Sequence, residues 1–253
     1  MSEKLKTLVT YLNDYLAINQ IKDYCPNGLQ VEGRSTVVKI LGGVTASQAL
    51  IDEAVAREVD AILVHHGFFW KGERDEITGI KRNRLKALLK NDISLLAYHL
   101  PLDVHAEVGN NVQLAQQLGL TISGPLEPKA SKSIGLVGEL SAAMSAGEFK
   151  AFVSTTLNRE CMHIGDEDQV IKKIAWCSGA AQGMIEHAVD LGVDAFLSGE
   201  ISEPTVHTSL ETGVHYFSAG HHATERYGIQ ALGKKLETEF DIQFHFLDIN
   251  NPV

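Results

Sequence analysis

Short apolar runs and amphipathic stretches alternate along the chain. "TVVKILGGV" (Thr36 to Val44) is β-branched and apolar and predicts a strand. "SQALIDEAVAREV" places Ala49, Leu50, Ala54 and Val55 on one face and Asp52, Glu53, Arg57 and Glu58 on another, the pattern of an amphipathic helix. A strand at Ala61 to Val64 follows, then a helix around Asn83 to Lys90, a strand "ISLLAYH" (Ile93 to His99) and a helix at Asn110 to Leu118. The opening "MSEKLKTLVTYLNDYL" reads as a charged amphipathic helix and not as a signal peptide. Such β-α-β alternation predicts an α/β fold with a mostly parallel sheet and helices on its faces.

The plan is written twice. Gly43 to Leu63 aligns without a gap on Cys177 to Leu197, with Gln48 on Gln182, Ile51 on Ile185 and Val59-Asp60-Ala61 on Val193-Asp194-Ala195. A strand, helix and strand of matching length at one offset predict an internal duplication. Two related α/β lobes follow, residues 1–125 and 126–253, closely apposed, with 126–170 linking them. Within the linking segment "KSIGLVGEL" reads as a strand, "SAGEFKAFVSTTLN" as a helix, "GDEDQ" as an acidic turn and "IKKIAWC" as a strand.

Polar residues gather where apolar strands end. The first lobe has His65-His66 in "VHHGFFWKG" and Asp103 in "HLPLD"; the second has Glu200 in "SGE" and the histidine pair of "GHHATE". In parallel α/β sheets that carboxyl edge is where ligands bind. Of eleven histidines, His163, His187, His207 and His245 stand singly and read as structural or surface residues. His221 and Glu225 are spaced i, i+4 and His222 and Glu225 i, i+3, so a helix starting there presents either histidine beside the carboxylate. Imidazoles and carboxylates suit zinc, iron, manganese, nickel or cobalt. His65, His66, Asp103, His221 and Glu225 are one donor too many for a four-coordinate ion with an open position, and the right number for two ions about 3.5–4 Å apart sharing a carboxylate. No G-x-S-x-G or Cys/His nucleophile pattern competes with this reading.

Composition narrows the class. At 44% hydrophobic over 253 residues the chain can build a sizeable core, and a net charge of −10 argues against nucleic acid as a general partner. "KRNR" (Lys81 to Arg84) is the local exception and reads as a solvated helix face. Cys25, Cys161 and Cys177 are odd in number and widely spaced, which fits a reducing, cytoplasmic setting better than a disulfide framework. No apolar run approaches the roughly 18–20 residues that span a bilayer.

"PNGLQVEG" (Pro26 to Gly33), "GVTAS", "VHHGFFWKG", "HLPLD", "SGE" and "GHHATE" occur in the order of the GTP cyclohydrolase I type 2 family, also called NGG-interacting-factor-three-like, and the chain resembles its short bacterial members. That resemblance implies two α/β lobes, a dinuclear metal site in the cleft between them and a toroidal homohexamer. It implies His65, His66, Asp103, His221 and Glu225 as ligands, with Glu225 bridging. It takes His221 over His222, and divides the ligands as His66 and Asp103 on one ion, His65 and His221 on the other. Gly67 would relieve crowding beside the metals, and Phe68, Phe69 and Trp70 would pack in the core, wall the site or meet a neighbouring subunit.

A metal-dependent hydrolase acting on a nucleotide-like or phosphoester substrate is the expected function, through a water that two cations acidify. Tyr98, His99, Glu200 and His222 are candidates for moving protons. The alternatives are a non-catalytic, ring-shaped metal-binding scaffold, which the acidic balance disfavours near nucleic acid, and a redox role for iron in the same ligands.

Overall fold

The computed structural model describes residues 2–130 and 132–253; residues 1 and 131, in the predicted first helix and linking segment, lie outside the described residues. It divides into two compact units of similar size, Met1–Val108 with Gly228–Asn250, and Gly109–Tyr227 with Asn251–Val253. The division therefore differs from a single cut near residue 125. The helix Asn110–Gln117 shares an apolar core with the strands of the second unit, and residues 228–250 return to complete the first.

The first unit is built on a five-stranded sheet in the order Gln243–Phe246, Lys39–Thr45, Ala61–His66, Ser94–Ala97, Gly28–Val31. Its first three pairings are parallel and only the edge strand Gly28–Val31 runs antiparallel, as the alternating pattern predicts. Residues alternate across this sheet. Ile40, Ala61, Leu63 and Leu96 pack with Leu5, Leu8 and Leu12 of the helix Leu5–Tyr15 and with Ile229, Leu232 and Leu236 of the helix Arg226–Glu239. Leu41, Ile62, Val64 and Leu95 pack on the other face against Leu50, Ile51 and Ala54 of the helix Gln48–Ala56 and Leu85 and Leu88 of Gly79–Lys90. Strands buried on both faces need the continuous apolar runs seen in the sequence.

The second unit carries a six-stranded sheet in the order Leu120–Pro125, Leu136–Ser145, Val170–Cys177, Ala195–Ser198, His215–Ser218, Met162–Ile164. Only the two pairings that join Val170–Cys177, Ala195–Ser198 and His215–Ser218 are parallel. The other pairings are antiparallel, so this sheet is mixed, against the expectation of a mostly parallel one. The antiparallel strands arise in the region where the sequence loses its alternation. Leu136–Ser145 is long enough to pair with Leu120–Pro125 on one side and Val170–Cys177 on the other. The predicted helix of that region is present as Ala146–Thr156, with Ser145 and Glu148 forming a reciprocal capping box.

The aligned "VDA" triplets do the same work in both units. Asp60 accepts hydrogen bonds from the backbone N–H of Val38 and Lys39 at 2.7 and 2.9 Å, tying the start of one strand to the start of the next. Asp194 accepts from Lys172 and Lys173 at 2.8 Å each. The aligned helices differ: Gln48–Ala56 is a regular helix capped by Ser47, whereas its counterpart opens with a 3₁₀ turn, Gln182–Met184, before Ile185–Asp190.

Candidate metal centre

In the first unit the strand Ala61–His66 leaves the sheet at two histidines whose backbone positions alternate between its faces. His65 is fully buried, and its Nδ1 lies 2.9 Å from the Tyr98 carbonyl. A carbonyl only accepts, so Nδ1 carries the proton and Nε2 keeps its lone pair, the tautomer a metal ligand needs. That Nε2 lies 3.5 Å from Asp103 Oδ2. Asp103 ends a short helix, Leu100–Asp103, that begins just after the neighbouring strand Ser94–Ala97 and has Pro101 in its first turn. His66 Nδ1 lies 3.2 Å from Thr45 Oγ1 on the strand paired beside it. The close approach of His65 to Asp103 favours these two sharing an ion, and departs from the expected pairing of Asp103 with His66.

His99 joins this group. A donor atom of His99 lies within 4.8 Å of donor atoms of His65 and His66. Its Nδ1 faces Asp23 at 3.0 and 3.3 Å, and Asp23 also accepts from Asn27 Nδ2 and from the backbone N–H of Leu100. Burial alone would raise the Asp23 carboxyl; the hydrogen bonds from His99 and Asn27 and the His99 charge outweigh it and hold the group well below the usual carboxylate range. Asp23 is thus an anchored carboxylate that orients His99. Nothing marked Asp23 in the sequence, since the residues it anchors, His99 and Leu100, lie 76 and 77 positions away.

Two expectations are corrected here, and a third resolves residue by residue. The Tyr98 hydroxyl donates to Asn13 Oδ1 at 2.9 Å and burial pushes its pKa up, so Tyr98 serves the site through its carbonyl and not as a proton carrier. Gly67 makes room for Gln30 and Ala97, which a Cβ would meet at 2.2 and 2.6 Å, rather than relieving crowding at the histidines. The three aromatics separate: Phe68 is buried in the core, Phe69 is exposed, and Trp70 stands edge-on to His99 with ring centroids 5.0 Å apart.

In the second unit the corresponding strand ends lead to Glu200 and His221. Gly220, with φ of +97°, turns the chain out of the strand His215–Ser218 into the short helix His221–Thr224. His221 Nδ1 lies 2.7 Å from Glu200 Oε1 and its Nε2 lies 3.2 Å from Glu225 Oε2. His221 is thus the histidine that faces Glu225 at the i, i+4 spacing. His222 is buried, and its backbone N–H donates to the Val253 carbonyl. Burial opposes protonation of His221, but hydrogen bonds and charge from Glu225 and Glu200 prevail and raise it to about 9. Glu225, itself buried, rests against Gly179, where a Cβ would come within 2.2 Å of Oε1 and where φ is +67°. Only glycine fits that position.

The two half-sites follow one design: Nδ1 is fixed by an oxygen and Nε2 is aimed at a carboxylate. For bonds of about 2.05 Å in a tetrahedral site, neighbouring donors stand roughly 3.3 Å apart. The 3.5 Å of His65–Asp103 and the 3.2 Å of His221–Glu225 bracket that value, so both pairs fit a divalent cation.

A family model described as Duf34/NIF3 (NGG1p interacting factor 3) matches residues 3–252. A GTP cyclohydrolase 1 type 2 homolog of Pseudomonas aeruginosa is 56% identical over 252 residues, covering 100% of both chains. Another, from Escherichia coli K12, is 50% identical over 242 residues, covering 95% of this chain and 96% of its own. Among solved structures, a protein called ybgI, described as of unknown function, matches with a TM-score of 0.94 at 49% identity over 99% of this chain and 100% of that one. A protein from Thermus thermophilus matches at 0.88 and 32% identity, with the same coverage.

Proposed function

The chain belongs to the Duf34/NIF3 family, and from that premise we propose that it is a dinuclear metal-dependent hydrolase acting on a nucleotide-like or phosphoester substrate. His65, His66, Asp103, His221 and Glu225 would hold two divalent ions, His65 and Asp103 serving one, His66 and His221 the other, and Glu225 contributing to both. The observation that carries this reading is the repeated geometry of a fixed imidazole opposite a carboxylate at ligand spacing. Two bound cations supply an acidified water and polarise the substrate's electrophilic centre.

The chain's own residues prepare that chemistry. The Tyr98 carbonyl and the Glu200 carboxylate hold His65 and His221 in the ligating tautomer and raise their basicity. His99, whose Nδ1 faces Asp23, would pass a proton to a leaving group. Trp70 walls the histidines and excludes water on that side. The name of the curated relatives points to GTP as the first substrate to try. Duplication of one βαβ unit accounts for the matched roles of Asp60 and Asp194, and assembly into a toroidal homohexamer completes the proposal.

The test is to strip the purified protein of metal, reload it, and offer GTP and a panel of phosphoesters. Turnover that returns with metal and vanishes in Glu225→Ala is expected. Tightly held metal without turnover on any substrate would favour a metal-binding scaffold instead.

A further inference from the structure

The second unit holds a cavity of about 730 Å³ whose wall includes Glu200, the residue that fixes His221. Two cations, Lys150 and Arg159, line it beside the carboxylates of Glu160 and Glu200, and Met162 and Ile201 add apolar wall. The Cys161 thiol is also on the lining, but burial pushes its pKa up to about 12, so it brings no negative charge at neutral pH. His163, pushed down to about 4 by burial and by His215, is uncharged there as well.

Arg159 is built in rather than merely present. Its stem lies against Gly220, where a Cβ would come within 2.2 Å of Cδ, so the glycine that precedes His221 is also the seat of the guanidinium. Nη1 donates to the Glu160 carbonyl at 2.8 Å and Nη2 to the Pro252 carbonyl at 3.0 Å. The guanidinium already presents an N–H to an acceptor oxygen of the cavity wall, while its buried Nε has no hydrogen-bond partner among the described residues. Lys150 reaches Glu167 at 2.8 Å, but Glu167 is more than half exposed, and an exposed pair of this kind is held weakly enough to be exchanged for a ligand.

We propose that this cavity is the anion subsite of the proposed hydrolase: Lys150 and Arg159 grip a phosphate group of the substrate, Met162 and Ile201 border its uncharged part, and Glu200 marks the end nearest His221. The idea rests on the metal-centred reading and names what it would act on, a phosphorylated small molecule. Arg159 supplies paired N–H donors and Lys150 a mobile point charge, the usual division of labour in phosphate binding.

The experiment is calorimetric titration of the purified protein with inorganic phosphate, with metal content measured on each sample. Saturable binding is expected, weakened about tenfold or more in Lys150→Met and in Arg159→Met, as loss of one charge-assisted hydrogen bond implies, and largely kept in Lys150→Arg. Because Arg159 packs on the turn before His221, its replacement can disturb folding; Lys150, more than a third exposed, then decides. Phosphate affinity equal to wild type in a folded Lys150→Met variant at full metal content would overturn the subsite and leave the metal reading standing. Absence of metal from every sample would overturn the metal reading, while Lys150→Met still reports on the phosphate.

Discussion

At His65 the two ring nitrogens are divided between a backbone carbonyl and a carboxylate, the arrangement its proposed role as a ligand requires. Replacing it removes a proposed donor: His65→Ala or Glu225→Ala should lower bound metal from about two ions per chain towards one or none. Elemental analysis checks this, and undiminished metal would refute the ligand assignment. His221 adds a pH signature. Its metal-free pKa of about 9 exceeds the ordinary 6.5, so its contribution to stability is fully present below about pH 6.5 and is lost as pH rises through about 9. Metal requires the neutral ring, so loading at pH 7 should release a proton and affinity should climb between pH 7 and 9. Titration calorimetry in buffers of different ionisation enthalpy would show it; affinity independent of pH over that range would contradict it. The proposed ligands were legible because strand ends in an α/β sheet are few and histidine pairs there are conspicuous. Asp23, Asn27 and Gly179 were not, because what they support is brought to them only by folding.

Elements were legible where both faces of a strand are apolar. The apolar run Ala61 to Val64 and its aligned counterpart ending at Leu197 predicted Ala61–His66 and Ala195–Ser198 closely. Short edge strands such as Gly28–Val31 and Met162–Ile164 carry no such pattern, since only one neighbour and part of one face constrain them. Where strands begin, Asp60 and Asp194 substitute carboxylate oxygens for the missing ladder partners of two backbone N–H groups. Asp60→Ala and Asp194→Ala should each cost about 1–3 kcal/mol by leaving those donors unsatisfied. Denaturant unfolding would measure the loss, and equal midpoints for wild type and variant would show that water replaces the carboxylate freely. The side chain of Asp60 also pairs with Arg34 at 2.9 Å, a contact Asp194 is not shown to share, so the first substitution should be the costlier.

At the scale of the whole molecule, the mixed sheet and the interleaved unit boundary were hidden in the sequence for one reason. Long antiparallel strands and a returning helix-strand segment depend on pairings far apart in the chain, which local periodicity does not report. Among the described residues no helix is long and apolar enough to cross a membrane. Light scattering coupled to size exclusion should give the mass of six 27.6 kDa chains, and a monomer mass would rule the ring out. The account stands most directly on anomalous scattering from crystals of protein purified without added metal or affinity tag. It predicts two peaks about 3.5–4 Å apart, the usual two-metal spacing, touching His65, His66, Asp103, His221 and Glu225. Ordered side chains with no peak among them, or a peak held by other residues, would contradict it.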